Sequence, residues 1–184
     1  MRRIFLAIFV TDILAAVPAH AAHWTVDYAK SRLGFTVQWS NEPFSGSFAR
    51  WNADIDFDPT DPVHGKAVVT IDLASERSDE PDFDSGLTGA QGFNTSKFPI
   101  ARFASKRFVH KSAHNYLAEG VLSLHGILRD IELPFTLAIS GRTAHVTGST
   151  HVLRTDFGVG NGTWSAPSPV SHDVSIYVDL TATQ

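Results

Sequence analysis

The sequence predicts an all-β fold: an antiparallel up-and-down barrel or a sandwich, with about eight strands and one short helical segment. Three observations predict it. Apolar residues recur at every second position: Leu33, Phe35, Val37 and Trp39; Ala67, Val69, Ile71 and Leu73; Ile131, Leu133, Phe135, Leu137 and Ile139; Val174, Ile176, Val178 and Leu180. A period of two marks strands with one buried and one wet face. The runs are separated by turn residues, as in Asp58-Pro59-Thr60-Asp61-Pro62 and His125-Gly126. Aromatic residues, which favour strands, include 13 Phe and 4 Trp.

Taken in order, Trp24–Tyr28 reads as a short first strand that Leu33–Trp39 continues after Lys30-Ser31. Asn41-Glu42-Pro43 is a turn, and Phe44–Phe57 reads as one long strand, in which Gly46 signals a bulge or a close backbone approach. Lys66–Leu73 follows. Ser75–Asp84 is polar, and Ser85–Phe93 predicts a brief helix across one end of the sheet. Strands resume at Ile100–Val109, Asn115–Leu124, Ile127–Ile139 and Arg142–Val152, joined by tight connections. Phe157–Pro169, rich in Gly, Pro and Ser, reads as a long mobile loop before a last strand at Val170–Leu180. No internal repeat or linker divides the chain. Such strands must hide their apolar faces against each other, as two sheets or as one closed barrel.

The N-terminus reads as a secretory signal over residues 1–21, with the folded domain over 22–184. Arg2 and Arg3 form a positive start, Ile4–Val10 is wholly apolar, and Ala19-His20-Ala21 fits a small-x-small cleavage site. Thr11-Asp12 interrupts the apolar run, which is also too short to span a bilayer. The expected location is the bacterial periplasm, with a soluble mature protein. The net charge of −4, without a Lys/Arg run, argues against nucleic acid. The absence of cysteine removes disulfides, thiolate chemistry and Cys-based metal sites.

Several short sequence pieces stand in a definite order along the chain. They are Trp24-x-x-Asp27, Ser31-x-x-x-Phe35, Gly46-x-Phe48, Ile55-x-Phe57-Asp58-Pro59, Ile71-Asp72, Leu87 to Phe93 and Phe98-Pro99-x-x-x-Phe103. Further along come Gly120-x-Leu122-x-Leu124-x-Gly126, Leu133-Pro134 and Arg154-x-Asp156-Phe157-Gly158-Val159-Gly160. Together these pieces resemble the YceI-like family of exported bacterial proteins, and the resemblance implies a lipocalin-like antiparallel barrel around an apolar tunnel that binds isoprenoid chains, such as a polyprenyl phosphate or an isoprenoid quinone. It also implies a cytochrome b561-type membrane protein as a partner. The chain departs from the family pattern at Lys30-Ser31, where relatives carry His-Ser, and at Gln91-Gly92-Phe93, where they carry an acidic-aromatic pair.

In such a barrel the candidate ligand-binding wall is Phe35, Val37, Trp39, Phe48, Ile71, Phe103, Leu122, Leu133, Phe135 and Val174, with Arg154 near the mouth. The alternative is that these side chains fill the interior, as in many small barrels. Arg154 either meets a phosphate or quinone oxygen or pairs with Asp156 or Asp27 to fix its loop; the second is the plainer reading. The acidic run Asp79–Asp84 lacks a calcium-loop pattern and reads as a solvated loop. His110-x-x-x-His114 falls in a predicted turn, and His125 precedes Gly126 in another, so no metal site is assigned.

No nucleophile elbow, zinc-protease helix or phosphate loop is present, so no catalytic residue is assigned. Two readings stand beside each other. The first is a periplasmic carrier or store of an isoprenoid lipid or quinone, with no other cofactor. The second is an accessory protein docking on the cytochrome b561-type partner through an exposed aromatic patch around Trp164 or Trp51. The barrel surface also permits a homodimer.

Overall fold

The computed structural model describes residues 21–78, 81–162 and 164–184. Residues 1–20 of the proposed signal segment lie outside them. The described residues form eleven strands: Ala22–Val26 (β1), Arg32–Trp39 (β2), Glu42–Phe48 (β3), Trp51–Phe57 (β4), Lys66–Asp72 (β5), Glu76–Ser78 (β6), Ile100–Ser112 (β7), Asn115–Leu124 (β8), Ile127–Ser140 (β9), Thr143–Leu153 (β10) and Val170–Thr183 (β11). One α-helix, Pro81–Thr88 (α1), follows β6. It begins earlier than the segment read from the sequence and ends before Phe93.

The eleven strands occupy eight positions around a closed antiparallel barrel. The ring runs β1-β4-β5-β7-β8-β9-β10-β11 and closes through β1–β11 pairing. Strands β2, β3 and β6 extend the same wall: β2 pairs with β11 and β3, and β3 pairs with β6. Each of the first three positions is therefore one strand broken in two. Phe44–Phe57, which reads as a single strand, is split at Ala49-Arg50 because Ser75 takes over its ladder bonds. The Ser75 Oγ accepts from the Arg50 amide at 2.9 Å, and the Ser75 carbonyl accepts from the Ala49 amide at 3.0 Å. Ser31 bridges the first break, its Oγ donating to the Asp27 carbonyl at 2.7 Å and accepting from the Thr181 amide at 3.0 Å. Backbone groups freed by the breaks are thus satisfied by buried hydroxyls.

The interior has two halves. In one, Phe57, Phe108, Tyr116 and Phe135 form an aromatic cluster, with Phe57–Phe108 edge-on at 5.0 Å and Tyr116–Phe135 stacked at 5.5 Å. Trp24 closes it, donating from its indole to the Phe57 carbonyl at 3.0 Å. The other half is lined by Phe35, Val37, Leu73, Phe93, Leu122, Phe157, Val159 and Val170. Close strand approach there depends on glycine. A Cβ on Gly34 would lie 2.3 Å from the Gly46 carbonyl oxygen and 2.5 Å from the Tyr177 hydroxyl. Gly34→Ala is therefore expected to destabilise the protein by about 1–3 kcal/mol in urea unfolding; an unchanged midpoint would show that β2 and β3 part freely.

The β9–β10 ladder runs from Ser140↔Thr143 to Phe135↔Gly148. It stops at Pro134, which has no N–H to give. Beyond it, Ser149–Leu153 continue to pair with β11.

Candidate functional site

The second half of the interior encloses a cavity of about 200 Å³. Its wall is almost wholly apolar, because the inward rows of the strands carry Leu, Val, Ile and Phe. Ten of the eleven residues singled out in the sequence line it: Phe35, Val37, Trp39, Phe48, Ile71, Phe103, Leu122, Leu133, Arg154 and Val174. Phe135 is placed elsewhere. It shares its inward row with Leu133 but sits deeper, packed among Phe57, Phe108 and Tyr116.

Other lining residues carry a weaker sequence signal. Phe83 and Leu87 come from α1, and Phe93 from the turn after it. Phe83 packs edge-on against Trp39 at 4.3 Å and tilted on Phe44 at 4.7 Å. Trp164 comes from the loop before β11 and lies against Gly86. Helix α1 and this loop therefore cover one end of the cavity. Trp51 and Trp164 both line it and are only partly exposed, so neither forms the exposed aromatic patch anticipated for a docking partner.

Arg154 does not pair with Asp156 or Asp27. It is 6% exposed, and among the described residues its guanidinium donates to main-chain carbonyls alone. Nε reaches Ser171 at 2.9 Å and Nη1 reaches Val159 at 3.0 Å. Nη2 reaches Trp164 at 2.5 Å, Ala166 at 3.1 Å and Val170 at 3.0 Å. Burial pushes its pKa down from the ordinary arginine value. The loop that reads as mobile is thus fastened at three points, Val159, Trp164 and Ala166, and tied to the start of β11 at Val170 and Ser171, so most donors of the arginine are spent.

The polar group that the sequence reading missed is Glu76. It has no exposed surface, and both carboxyl oxygens lack a hydrogen-bond partner among the described residues. It fills the space left by Gly46, where an added Cβ would lie 2.5 Å from Glu76 Oε1 and 2.5 Å from the Phe35 ring. Burial, and then the nearby Asp84 carboxylate, push its pKa from 4.5 up to about 7, against a smaller opposing pull from Arg77. The folded value lies above the unfolded one, so folding favours the protonated acid. That stabilisation is full below the unfolded pKa and falls away as the pH rises toward the folded one.

Of the acidic run, Asp79, Glu80 and the Asp82 side chain lie outside the described residues. Asp84 belongs to α1 and accepts from the Ser78 amide at 3.1 Å and hydroxyl at 2.5 Å. His110 is held within its own turn, its Nε2 donating to the Ala113 carbonyl at 3.0 Å. His125 Nδ1 lies 3.1 Å from the Phe157 carbonyl, a structural tie. On the outer face, His23, Asp54 and Asp56 bring three donor atoms within 4.8 Å of one another, all exposed or partly exposed. His23 is 3.0 Å from Asp56, an ordinary surface pair.

Comparison with known proteins agrees with this architecture. A UPF0312 protein of Shewanella baltica is 26% identical over 184 residues, covering 95% of this chain and 96% of that protein. The crystal structure of BcnA from Burkholderia cenocepacia is similar at a TM-score of 0.83 and 31% identity, covering 86% of this chain and 99% of that one. A polyisoprenoid-binding domain from Saccharophagus degradans shares the fold at a TM-score of 0.68 and 17% identity, covering 87% and 97%. The YceI-like domain pattern matches residues 24–182. With its sheet order, its apolar interior and this match over nearly the whole described chain, the protein belongs to the YceI-like domain family.

Proposed function

We propose that this protein binds an isoprenoid lipid in its barrel and acts as a periplasmic carrier or store. The observation that carries the reading is the apolar cavity of about 200 Å³, walled by side chains from nearly every strand. A polar substrate would find almost nothing there to replace its lost water. A prenyl chain needs little else, since each buried methylene contributes on the order of 0.8 kcal/mol and a five-carbon unit about 4 kcal/mol. The similar fold of a polyisoprenoid-binding domain supports the same reading.

The polar end of the ligand follows from the charges. Arg154 gives its donors to carbonyls, and the other buried ionisable group beside the cavity is an acid. Both features favour an uncharged head, such as a quinone or an alcohol, over a polyprenyl phosphate. Purified without detergent and extracted with organic solvent, the protein is expected to release a stoichiometric prenyl lipid, identified by mass spectrometry. An empty extract, together with no uptake of added geranylgeraniol, would sink this reading.

A further inference from the structure

Helix α1 is attached to the barrel in two ways. Phe83 and Leu87 reach down to the cavity wall. Between them in the chain, Asp84 turns back to β6, where it accepts from Ser78. Directly below, Glu76 is sealed from solvent, both oxygens unpaired, in the gap that Gly46 leaves between Phe44 and Phe48 on the inward row. Asp84 is bound at Ser78, two residues along the same face of β6 from Glu76, so the two acids come together at the junction of strand and lid, with Phe35 and Phe48 beside Glu76.

The surrounding charges do not resolve this. Arg77, next along β6, directs its guanidinium to the carbonyls of Ala74 and Glu76 and not to the carboxyl. Strands β2 and β3 present Phe35, Gly46 and Phe48 to the site. Among the described residues, Asp84 and Arg77 are the ionisable groups that bear on Glu76. One arrangement satisfies the pair: a proton on Glu76 gives the donor that two carboxylates lack, and removes the repulsion between them.

We propose that Glu76 and Asp84 form a proton-held latch, which keeps α1 over the cavity while the proton is present and frees it when the proton leaves to solvent. The helix is the part that yields. Strand β6 is held by its ladder to β3 from Gly46↔Ser78 to Phe48↔Glu76, whereas α1 lies outside the sheet and meets it at this junction through the packing of Phe83 and the Asp84 contacts. Opening relieves the repulsion and gives Glu76 water. The pKa of Glu76, raised to about 7, sets the range in which the latch works. The latch deepens the carrier reading, on which its use as a gate for lipid rests, but the motion itself needs no ligand.

Hydrogen exchange on the ligand-free full protein tests it. After correction for the intrinsic pH dependence of exchange, protection of the α1 amides is expected to fall on the order of tenfold or more between pH 5.5 and pH 8.5. Protection of β8 is expected to hold. In Glu76→Gln, which keeps a donor at every pH, α1 should stay protected throughout. Asp84→Asn, which removes the repulsion from the other side, should behave the same way and serves if the first variant folds poorly. Equal α1 protection at both pH values, or a fall that persists in both variants, would overturn the latch. Uptake of geranylgeraniol, measured in parallel, separates the two ideas: opening without uptake keeps the latch and removes the isoprenoid reading.

Discussion

Replacing Arg154 with methionine is expected to cost about 3–5 kcal/mol of folding stability, as several buried acceptors lose their donor at once. The side chain is 6% exposed and gathers carbonyls from Val159, Trp164, Ala166, Val170 and Ser171. Methionine fills part of the volume but donates nothing. Acceptors buried beside it then keep their desolvation penalty, about 1–3 kcal/mol each where no water replaces the donor. Lysine should rescue little, since a single ammonium cannot span five acceptors set by a planar fork. In a domain of this size such a loss lowers the melting temperature by roughly 10 °C. Calorimetry of Arg154→Met and Arg154→Lys checks this. A cost below about 1 kcal/mol would mean that the loop before β11 holds itself in place and that Arg154 is free for a ligand.

The same residue shows where sequence reasoning reaches its limit. Alternation identifies the inward face of each strand, and through it nine cavity residues are legible in the sequence. It carries no information about depth along the barrel. Strand β9 is 14 residues long and passes through both halves of the interior, so Leu133 lines the cavity while Phe135, on the same face, stacks on Tyr116 beyond its end. Charge offers even less. Arg154 and Glu76 look like surface residues in a chain with 15 Lys+Arg and 19 Asp+Glu. Their burial depends on how other segments fold over them: the loop and the start of β11 over Arg154, and β2 and β3 over Glu76. The one hint in the sequence is Gly46, an inward position without a side chain, and the space it leaves is where Glu76 Oε1 lies. The split of Phe44–Phe57 is hidden for a similar reason, because the hydroxyl that interrupts it belongs to Ser75.

Filling the cavity is expected to separate stability from binding. Val174→Phe and Leu133→Phe each add bulk to a side chain that faces the open space. Where a cavity is spare volume, filling it gains on the order of 24 cal/mol per Å³, so either variant should unfold at the same temperature as the parent or higher. Where the wall is already close-packed, the added atoms strain it and cost about 1–3 kcal/mol. Binding moves the opposite way. Displacing one five-carbon unit from the cavity forfeits about 4 kcal/mol of apolar burial, so affinity for geranylgeraniol should drop on the order of a hundredfold or more. Thr147→Phe, on the exposed outer face of β10, should change neither quantity. The pairing of unchanged stability with lost affinity is what distinguishes a binding site from a packing defect. A variant that keeps full affinity while remaining as stable as the parent would place the lipid outside the barrel. A variant that loses both would show that this interior is a core, with its volume needed for folding and none left for a guest.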